Sequence, residues 1–258
     1  MGRRLLLSAT VLTLLTISSL SEVRSASFKI VNNCRRTIWP GLFTSGGGGM
    51  GQLPTTGFAL KSGESKNISI PTPWSGRIWG RTYCGRDSSG KFTCLTGDCG
   101  SGALECAGGT GPQTPSTLAE FSLNVLAGMD FYDVSVVDGF NLPILIVPKG
   151  ISGARACGTT GCLVDLNGAC PKVLSVERGD GKEGVVACRN EFADELFNID
   201  PSEASYYGRS LYSRFFKSAC PRAFTNPYED RAATLACASA TDYIIIFCPS
   251  PNTGKTTE

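Results

Sequence analysis

Three cysteines fall within thirteen residues, "CLTGDCGSGALEC", between Cys94 and Cys106. Cysteines at such spacing can bind a metal, act as a redox centre or form disulfides. The whole chain has 12 cysteines, an even number, and no histidine. The absence of histidine excludes catalytic dyads and triads with an imidazole base, and zinc sites with histidine ligands. Proton transfer would therefore fall to carboxylates, lysine or tyrosine.

The N-terminal 25 residues indicate the compartment of the protein, and this compartment favours disulfides over a metal site. Arg3 and Arg4 precede the apolar run "LLLSATVLTLLTISSL", and "VRS" supplies small-residue positions before Ala26. This pattern predicts a secretory signal peptide, residues 1–25, because the run is shorter than the ~20 apolar residues of a spanning helix. We expect no membrane span elsewhere. Export leads to an oxidising compartment, where cysteines pair rather than bind metal, so we expect no metal and no cofactor.

The leader also accounts for the charge of the chain. It carries three arginines and one glutamate, so its removal takes the net charge from +2 to zero. A neutral composition gives no indication of nucleic acid or an anionic membrane as a partner. On a route through the endoplasmic reticulum, Asn67 in "NIS" is the one N-glycosylation acceptor in the sequence.

Most of the chain reads as short strands. Apolar and polar residues alternate over short runs, and glycine and proline separate them. "SFKIVNN" and "RRTIWPGL" suggest a first hairpin, "TLAEFSLNVL", "DFYDVSVVDGFN" and "LPILIVP" a meander, and "TDYIIIFCP" a buried strand. Many short antiparallel strands predict a sandwich or a barrel.

The pattern changes between Cys157 and Cys220. "NEFADELFN" and "SLYSRFFKSACP" place apolar residues at helical spacing, and Pro221 ends the second segment. We therefore expect a smaller, partly helical lobe held by cysteines. The expected organisation is a main sandwich at 26–155, the lobe at 156–222, a return to the sandwich at 223–248, and a polar tail at 249–258.

The chain resembles the thaumatin-like proteins, the fifth group of pathogenesis-related plant proteins. The family's signature is matched by "GKFTCLTGDCGSGALEC". Six further segments occur in the family's order: "ASFKIVNNC", "WSGRIWGRTYC", "PSTLAEFSLN", "DFYDVSVVDGFNLP", "SRFFKSACP" and "TDYIIIFCP". The resemblance implies a mainly β fold: an antiparallel β-sandwich, a disulfide-rich, partly helical second lobe, a small disulfide loop region, and a cleft between the first two. It also implies a monomeric defence protein of the apoplast rather than the vacuole.

The resemblance also implies which cysteines pair, whereas the residues alone leave thousands of pairings open. The implied pairs are Cys34–Cys248, Cys84–Cys94, Cys99–Cys106, Cys157–Cys237, Cys162–Cys220 and Cys170–Cys188. The opening stretch would then contribute to two small rings. Typical members carry four further lobe cysteines, and this chain has Phe192, Pro201, Ser202 and Tyr207 at about those positions. We expect a looser lobe as a result.

The family's cleft is lined by one arginine, one glutamate and three aspartates. Carried over to this chain, these are Arg77, Glu120, Asp133, Asp138 and either Glu229 or Asp230, of which we favour Asp230. Adjacent meander strands could bring Glu120 near Asp133, and crowded carboxylates raise one another's pKa. One protonated and one ionised carboxyl is the arrangement that glycoside hydrolysis needs.

Two hypotheses follow from this cleft. The first is a binding module that holds linear β-1,3-glucan of fungal walls, with Phe92, Phe140 or Tyr228 stacking on the sugars. The second is a weak endo-β-1,3-glucanase, with Glu120 as proton donor and Asp133 or Asp138 as nucleophile or base. A glycosidase inhibitor or a receptor ectodomain is a third possibility that we favour less.

Overall fold

A computed structural model describes residues 25–46, 52–126, 128–150, 157–179, 183–192, 211–229, 233–238, 240 and 242–250. Several predicted features lie outside these described residues: most of the leader (1–24), the segment 193–200 with its helical pattern, Pro201, Ser202, Tyr207, the favoured cleft residue Asp230, and the end of the tail (251–258).

The described residues form thirteen strands, one α-helix and one short 3-10 helix. The strands are β1 Ser25–Asn32, β2 Trp39–Thr44, β3 Ser65–Pro71, β4 Trp74–Arg86, β5 Phe92–Thr96, β6 Leu118–Leu126, β7 Met129–Ser135, β8 Ile144–Lys149, β9 Thr160–Cys162, β10 Ser175–Glu177, β11 Val185–Cys188, β12 Leu235–Cys237 and β13 Asp242–Phe247. The α-helix α1 spans Leu211–Ala219 and the 3-10 helix spans Asn167–Ala169. Within this part of the chain no helix has the length and apolar character needed to cross a membrane.

The strands form two large sheets and one small ribbon. The first sheet has the order β3-β1-β13-β8-β9, in which β1 and β13 run parallel and the other pairs antiparallel. The second has the order β12-β7-β6-β4-β2, with β5 paired to the C-terminal half of β4. Strands β10 and β11 pair separately as a two-stranded ribbon.

One apolar layer joins the two large sheets. Phe28 of the first sheet meets Phe121 of the second with 4.6 Å between ring centroids, and Tyr243 meets Phe121 at 5.2 Å. All three side chains are almost completely buried, as are Trp74 and Ile245 beside them. Two sheets packed face to face around aromatic side chains make the predicted β-sandwich, so the mainly β fold class is confirmed.

The expected first hairpin is wrong. Strand β1 pairs with β3 and β13, whereas β2 pairs with β4 in the other sheet. The link between β1 and β2 instead carries the chain across the sandwich. The side chain of Asn32 donates to the carbonyl oxygens of Arg36 and Leu60 at 2.9 and 2.8 Å, and Cys34 is bonded to Cys248. Sequence proximity suggested a pairing that the observed strand order does not contain.

The cysteine-rich segment combines short elements. Helix α1 confirms the helical pattern in "SLYSRFFKSACP", and its Phe216 is fully buried. The Ser213 hydroxyl lies 3.1 Å from Glu191 Oε1, to which it donates a hydrogen bond. Strand β9, which falls within 156–222, extends the first sheet by pairing with β8. The segment is therefore partly joined to the sandwich by backbone hydrogen bonds.

All 12 cysteines form disulfides, and the six pairs are those that the resemblance implies. Two of them close the small rings of the opening stretch, with sequence separations of 10 and 7 residues. The buried guanidinium of Arg81 lies against these rings and donates to the carbonyl oxygen of Leu104 at 2.6 Å. The cysteines of the thirteen-residue stretch therefore form structural disulfides.

Candidate functional site

Three neighbouring strands place three charged side chains in one row. Arg77 of β4 lies directly opposite Glu120 of β6, which lies directly opposite Asp133 of β7. Directly opposite residues of antiparallel strands have Cβ atoms about 4.5–5.5 Å apart. We call these three residues the charged row. They lie on one face of the sheet and act on one another at short range.

The other face of the same strands holds the row in place. Ile78, Ala119 and Val134 are the sequence neighbours of the three charged residues, pair with one another across the strands, and are fully buried in the core. Because successive side chains point to opposite faces, a one-residue slip would expose these apolar groups and bury the charges. The hydrophobic core therefore sets the register that aligns the charged row.

The charged row lies in an open cleft of about 730 Å³. A second depression of about 290 Å³ shares Arg77, Glu120 and Asp133 with it and continues toward Ser45 and Ser75. The two depressions are parts of one groove across the sheet. The residues that line the larger one are Arg77, Leu118, Glu120, Ser122, Val125, Leu126, Phe131, Asp133, Ser135, Val137, Asp138, Phe224, Pro227, Thr234 and Ala236.

Within the row the arginine pairs with the glutamate. Arg77 Nε lies 2.8 Å from Glu120 Oε1, with the two side chains 42% and 31% exposed. Asp133 has no such ion pair among the described residues, and its Oδ1 atom is buried without a hydrogen-bond partner there. In the row, the charge of Glu120 is therefore neutralised by Arg77, whereas Asp133 has no counter-ion among the described residues.

Burial raises the pKa of the three carboxyl groups in the cleft, and a neighbouring carboxylate adds to this for Glu120 and Asp133. For Asp133, burial and then the charge of Glu120 raise the pKa to about 7, against the opposing effect of Arg77. For Glu120, burial raises the pKa, Arg77 opposes it, and Asp138 adds to it. Burial also raises the pKa of Asp138, again opposed by Arg77. Arg77 pairs directly with Glu120, so the negative charge of Glu120 is better compensated than that of Asp133.

Asp138 occupies the turn that follows β7. Its carbonyl oxygen accepts a hydrogen bond from Ser116 N at 3.0 Å, and the next residue, Gly139, has a φ of 90° that favours glycine. This turn directs Asp138 to the same cleft as the charged row. The structure thus brings Arg77, Glu120, Asp133 and Asp138 together.

The fifth predicted position is different. Both carboxylate oxygens of Glu229 have partners: Oε2 lies 2.7 Å from Lys217 Nζ, and Oε1 accepts hydrogen bonds from the hydroxyl and backbone N–H of Thr225. These contacts tie the 225–229 segment to helix α1. Glu229 is not one of the described residues that line the cleft. The favoured alternative, Asp230, lies outside the described residues.

The three aromatic candidates for sugar stacking do not line the cleft either. Phe140 is fully buried and pairs through its backbone with Cys188, so its ring cannot stack on a sugar. The ring of Phe92 lies 5.6 Å from the Arg81 guanidinium, and Tyr228 packs on Phe192 with 6.1 Å between ring centroids.

The aromatic side chain that the sequence reasoning missed is Phe131. It stands two residues before Asp133 in β7 and therefore lies on the same face of the sheet, where it lines the groove. The alternation in "DFYD" was sufficient to find it. Phe224 and Pro227 form part of the lining from the returning segment, and no periodic pattern marks them.

Comparison with known proteins is consistent with this architecture. The sequence profile of the Thaumatin family matches residues 32–249. The chain is 43% identical over 244 residues to "Thaumatin-like protein 1" of Pyrus pyrifolia, which covers 92% of this chain and 97% of that protein. It is 42% identical over 240 residues to a "Glucan endo-1,3-beta-glucosidase" of Prunus avium, with 91% and 95% covered.

Two further matches differ in extent. A "PR5-like receptor kinase" of Arabidopsis thaliana is 44% identical over 238 residues, which are 89% of this chain and 35% of that protein, so the chain spans about a third of this relative. Among solved structures, the thaumatin-like xylanase inhibitor TLXI is 25% identical with a TM-score of 0.46, covering 86% of this chain and 99% of that one. On the extent of the profile match and of the full-length relatives, this chain belongs to the thaumatin family.

Proposed function

We propose that this protein is a secreted plant defence protein whose acidic cleft binds β-1,3-glucan of fungal cell walls. The observation that carries the proposal is the charged row, Arg77, Glu120 and Asp133, which is partly exposed along an open groove. Charged groups that are partly accessible in a concave site are suited to hydrogen-bond the hydroxyl groups of a sugar.

The other groups of the groove suit a polysaccharide chain. The hydroxyl groups of Ser75 and Ser122 lie 3.1 Å apart in the row next to the charged one, opposite Phe131. Leu126 at the rim is 66% exposed. A pyranose ring has polar edges and an apolar face, so hydroxyls and carboxylates beside a phenyl ring match both. The groove crosses several strands, which gives room for more than one sugar unit.

Hydrolysis of the same glucan is the second candidate. Glu120 and Asp133 lie directly opposite one another on neighbouring strands, and glycoside hydrolysis requires two carboxyl groups near one bond. A relative named as a glucan endo-1,3-beta-glucosidase also favours this candidate. The electrostatics support Asp133 rather than Glu120 as the proton donor, because Arg77 pairs with Glu120.

Geometry favours binding over turnover. The two carboxyl groups of a glycosidase flank the scissile bond, so that one protonates the leaving oxygen while the other acts on the sugar ring. Glu120 and Asp133 instead stand side by side on one face of one sheet. A glucan lying on that face would meet both groups from the same side. We therefore expect retention of glucan and slow or no cleavage.

The deciding experiment is a pull-down on insoluble β-1,3-glucan, chitin and cellulose, with reducing-sugar release followed in the same tubes. We expect retention on β-1,3-glucan and no substantial sugar release. Glu120→Gln should abolish retention, whereas the exposed Glu64→Gln, a carboxylate in the turn before β3, should not. Turnover at about 1 per second or faster would replace the binding proposal with the enzyme. Retention by Glu120→Gln equal to wild type would remove the cleft as the site.

Secretion is part of the proposal. Six disulfides require an oxidising compartment, and the leader supplies the route to the apoplast. Intact-mass analysis of protein from the extracellular fluid should show a chain that begins at Ala26. A mature chain that retains the leader would contradict this. Light scattering of the same material should report a monomer.

A further inference from the structure

We infer that Asp133 is the protonated member of the charged row when the cleft holds its ligand, so that the groove selects a neutral polyhydroxyl chain. The inference rests on the proposed function, because it defines the ligand class of the same cleft. At the row, the ligand would meet a cation, an anion and a neutral acid in order across three strands.

The geometry distinguishes the two carboxyl groups. Arg77 Nε is 2.8 Å from Glu120 Oε1, so the glutamate already has its counter-ion. Asp133 faces Glu120 directly, and its Oδ1 atom is buried without a partner in the described part of the chain. An ionised Asp133 would place two negative charges opposite one another, and Arg77 would then be the one cation for the three carboxylates Glu120, Asp133 and Asp138 among the described residues that line the cleft. A proton on Asp133 removes that repulsion and provides a hydrogen-bond donor.

The other elements around Asp133 contribute no second cation within the described residues that line the cleft. Strand β4 contributes Arg77, β6 contributes Glu120, and the turn after β7 contributes Asp138. The facing segments contribute the uncharged Phe224, Pro227, Thr234 and Ala236, while Lys217 and Glu229 pair with each other on helix α1 and the adjoining loop.

Asp130, also in β7, points away from the cleft. Its Oδ2 accepts a hydrogen bond from the buried Tyr243 at 2.7 Å.

The pKa of about 7 for Asp133, raised by burial and then by the charge of Glu120, agrees with the geometry of the row.

This arrangement has a consequence for ligand choice. A hydroxyl group can donate to the Glu120 carboxylate and accept from the Asp133 acid, and neighbouring hydroxyls of one sugar can do both. Arg77 is already paired with Glu120, so an anionic polysaccharide would meet the uncompensated charge of Asp138. Neutral glucan should therefore bind in preference to polygalacturonate, and its affinity should fall as Asp133 ionises.

Calorimetry with laminarihexaose between pH 5 and pH 9 tests the inference. Wild type should lose about tenfold in affinity between pH 6 and pH 8, as expected for a required proton with a pKa of about 7. Asp133→Asn, whose amide can donate but cannot ionise, should bind up to about tenfold more weakly at pH 6 and show no loss toward pH 8. Glu120→Gln lacks the neighbouring charge, so the pKa of its Asp133 should be lower.

A second measurement separates this inference from the proposed function. Carbon NMR titration of the Asp133 carboxyl, without ligand, should show a midpoint near pH 7 in wild type and a lower midpoint in Glu120→Gln. A midpoint near pH 4 in wild type overturns the inference. So does pH-independent binding by wild type, or a complete loss of binding by Asp133→Asn. If wild type binds laminarihexaose at no pH, the glucan proposal fails, and the NMR midpoint still decides where the proton resides.

A second inference concerns the other sheet. We propose that Asn67 of β3 carries an N-linked glycan in the secreted protein. Among the described residues β3 pairs with β1 alone and forms the edge of the first sheet. Asn67 and Ser69 of the acceptor sequence are both exposed, and the buried Ile68 lies between them. The acceptor side chains therefore face solvent on an edge whose unpaired backbone groups would otherwise invite strand addition.

Intact mass before and after treatment with peptide N-glycosidase tests this site. Protein secreted from plant cells should carry one glycan that the enzyme removes. Asn67→Gln and Ser69→Ala should both abolish it, the latter without touching the acceptor amide, and Asn33→Gln, an exposed asparagine outside any acceptor sequence, should not. Secreted wild type with an unmodified mass would overturn the proposal.

Discussion

The cleft-bearing sheet and the cysteine-rich segment beside it are held by different means. Strands β4, β6 and β7 pair over long stretches, and the register of the charged row follows from the buried residues on the reverse face. The cysteine-rich segment has strands of three or four residues and a nine-residue helix, with disulfides Cys162–Cys220 and Cys170–Cys188. Backbone hydrogen bonds between strands secure the first region, and covalent cross-links secure the second.

This difference indicates where changes should be tolerated. A side chain of the charged row can be replaced without moving its neighbours, because the core on the other face determines the register. A cross-link of the cysteine-rich segment cannot be removed without loosening the chain around it. Four variants test this contrast, and the largest expected effect comes first.

Replacement of both Cys162 and Cys220 by alanine should cost the most. The bond joins residues 58 positions apart, for which the chain-entropy model gives about 4 kcal/mol. The thermal midpoint should fall by roughly 8–16 °C for a chain of this size. Scanning calorimetry measures the fall, and the pair Cys84→Ala with Cys94→Ala, separated by 10 residues, is the smaller-loop control at about 3 kcal/mol. If the folded Cys162/Cys220 variant loses glucan retention, the two regions are not independent.

Asp133→Asn should stabilise the protein at neutral pH. The pKa of Asp133 is about 7 in the folded protein and about 3.9 in an unfolded chain. The folded state therefore binds the proton more tightly, and stability falls as pH rises from about 4 to about 7. Above that window the variant should exceed wild type by up to about 4 kcal/mol, and below pH 4 the two should agree. Urea titrations at pH 3.5 and pH 8 check this; equal stability at both would contradict the buried, uncompensated carboxyl.

Glu229→Gln should cost about 1 kcal/mol, because it weakens the ion pair with Lys217 and the contacts with Thr225. A double-mutant cycle with Lys217→Met isolates the pair. Glucan retention should be unchanged, since Glu229 serves to fasten the loop rather than to line the cleft. A stable Glu229→Gln variant that fails to bind glucan would instead identify Glu229 as the fifth cleft residue.

Arg77→Gln should have the smallest effect on stability, below about 0.5 kcal/mol, because its ion pair with Glu120 is partly exposed. Its effect on protonation should be larger. Arg77 lowers the pKa of Glu120, Asp133 and Asp138, so its removal should raise all three, which NMR titration of the carboxyl carbons would detect. Unchanged titrations would show that the arginine does not govern the row.

Local patterns predicted the elements better than their partners. Alternation in "TLAEF" and "DFYD" placed Glu120 and Asp133 on strands that do pair, and it contained the information that Phe131 shares their face. The same kind of pattern suggested a hairpin of β1 and β2, which belong to different sheets. Strand periodicity records which residues face the core. The choice of partner depends on contacts between residues far apart in the chain, such as β1 with β13.

Stacking by Phe140 failed as a prediction for the same reason. Its residue type and its position near Asp138 suited sugar binding, but the loop packs it into the core against Cys188. Phe92 and Tyr228 likewise pack on other side chains rather than line the cleft. An aromatic ring looks the same in a sequence whether it faces a ligand or the interior.

By itself the sequence determined the kinds of chemistry open to this protein. The lack of histidine, the even cysteine count and the apolar N-terminal run follow from residue identity, which exists before folding. Only the tertiary structure distinguishes the environments of the two facing carboxyl groups, Glu120 and Asp133. Desolvation and Coulomb interactions depend on distance and burial, and these are set when β4, β6 and β7 align Arg77 with Glu120 and leave Asp133 without a counter-ion.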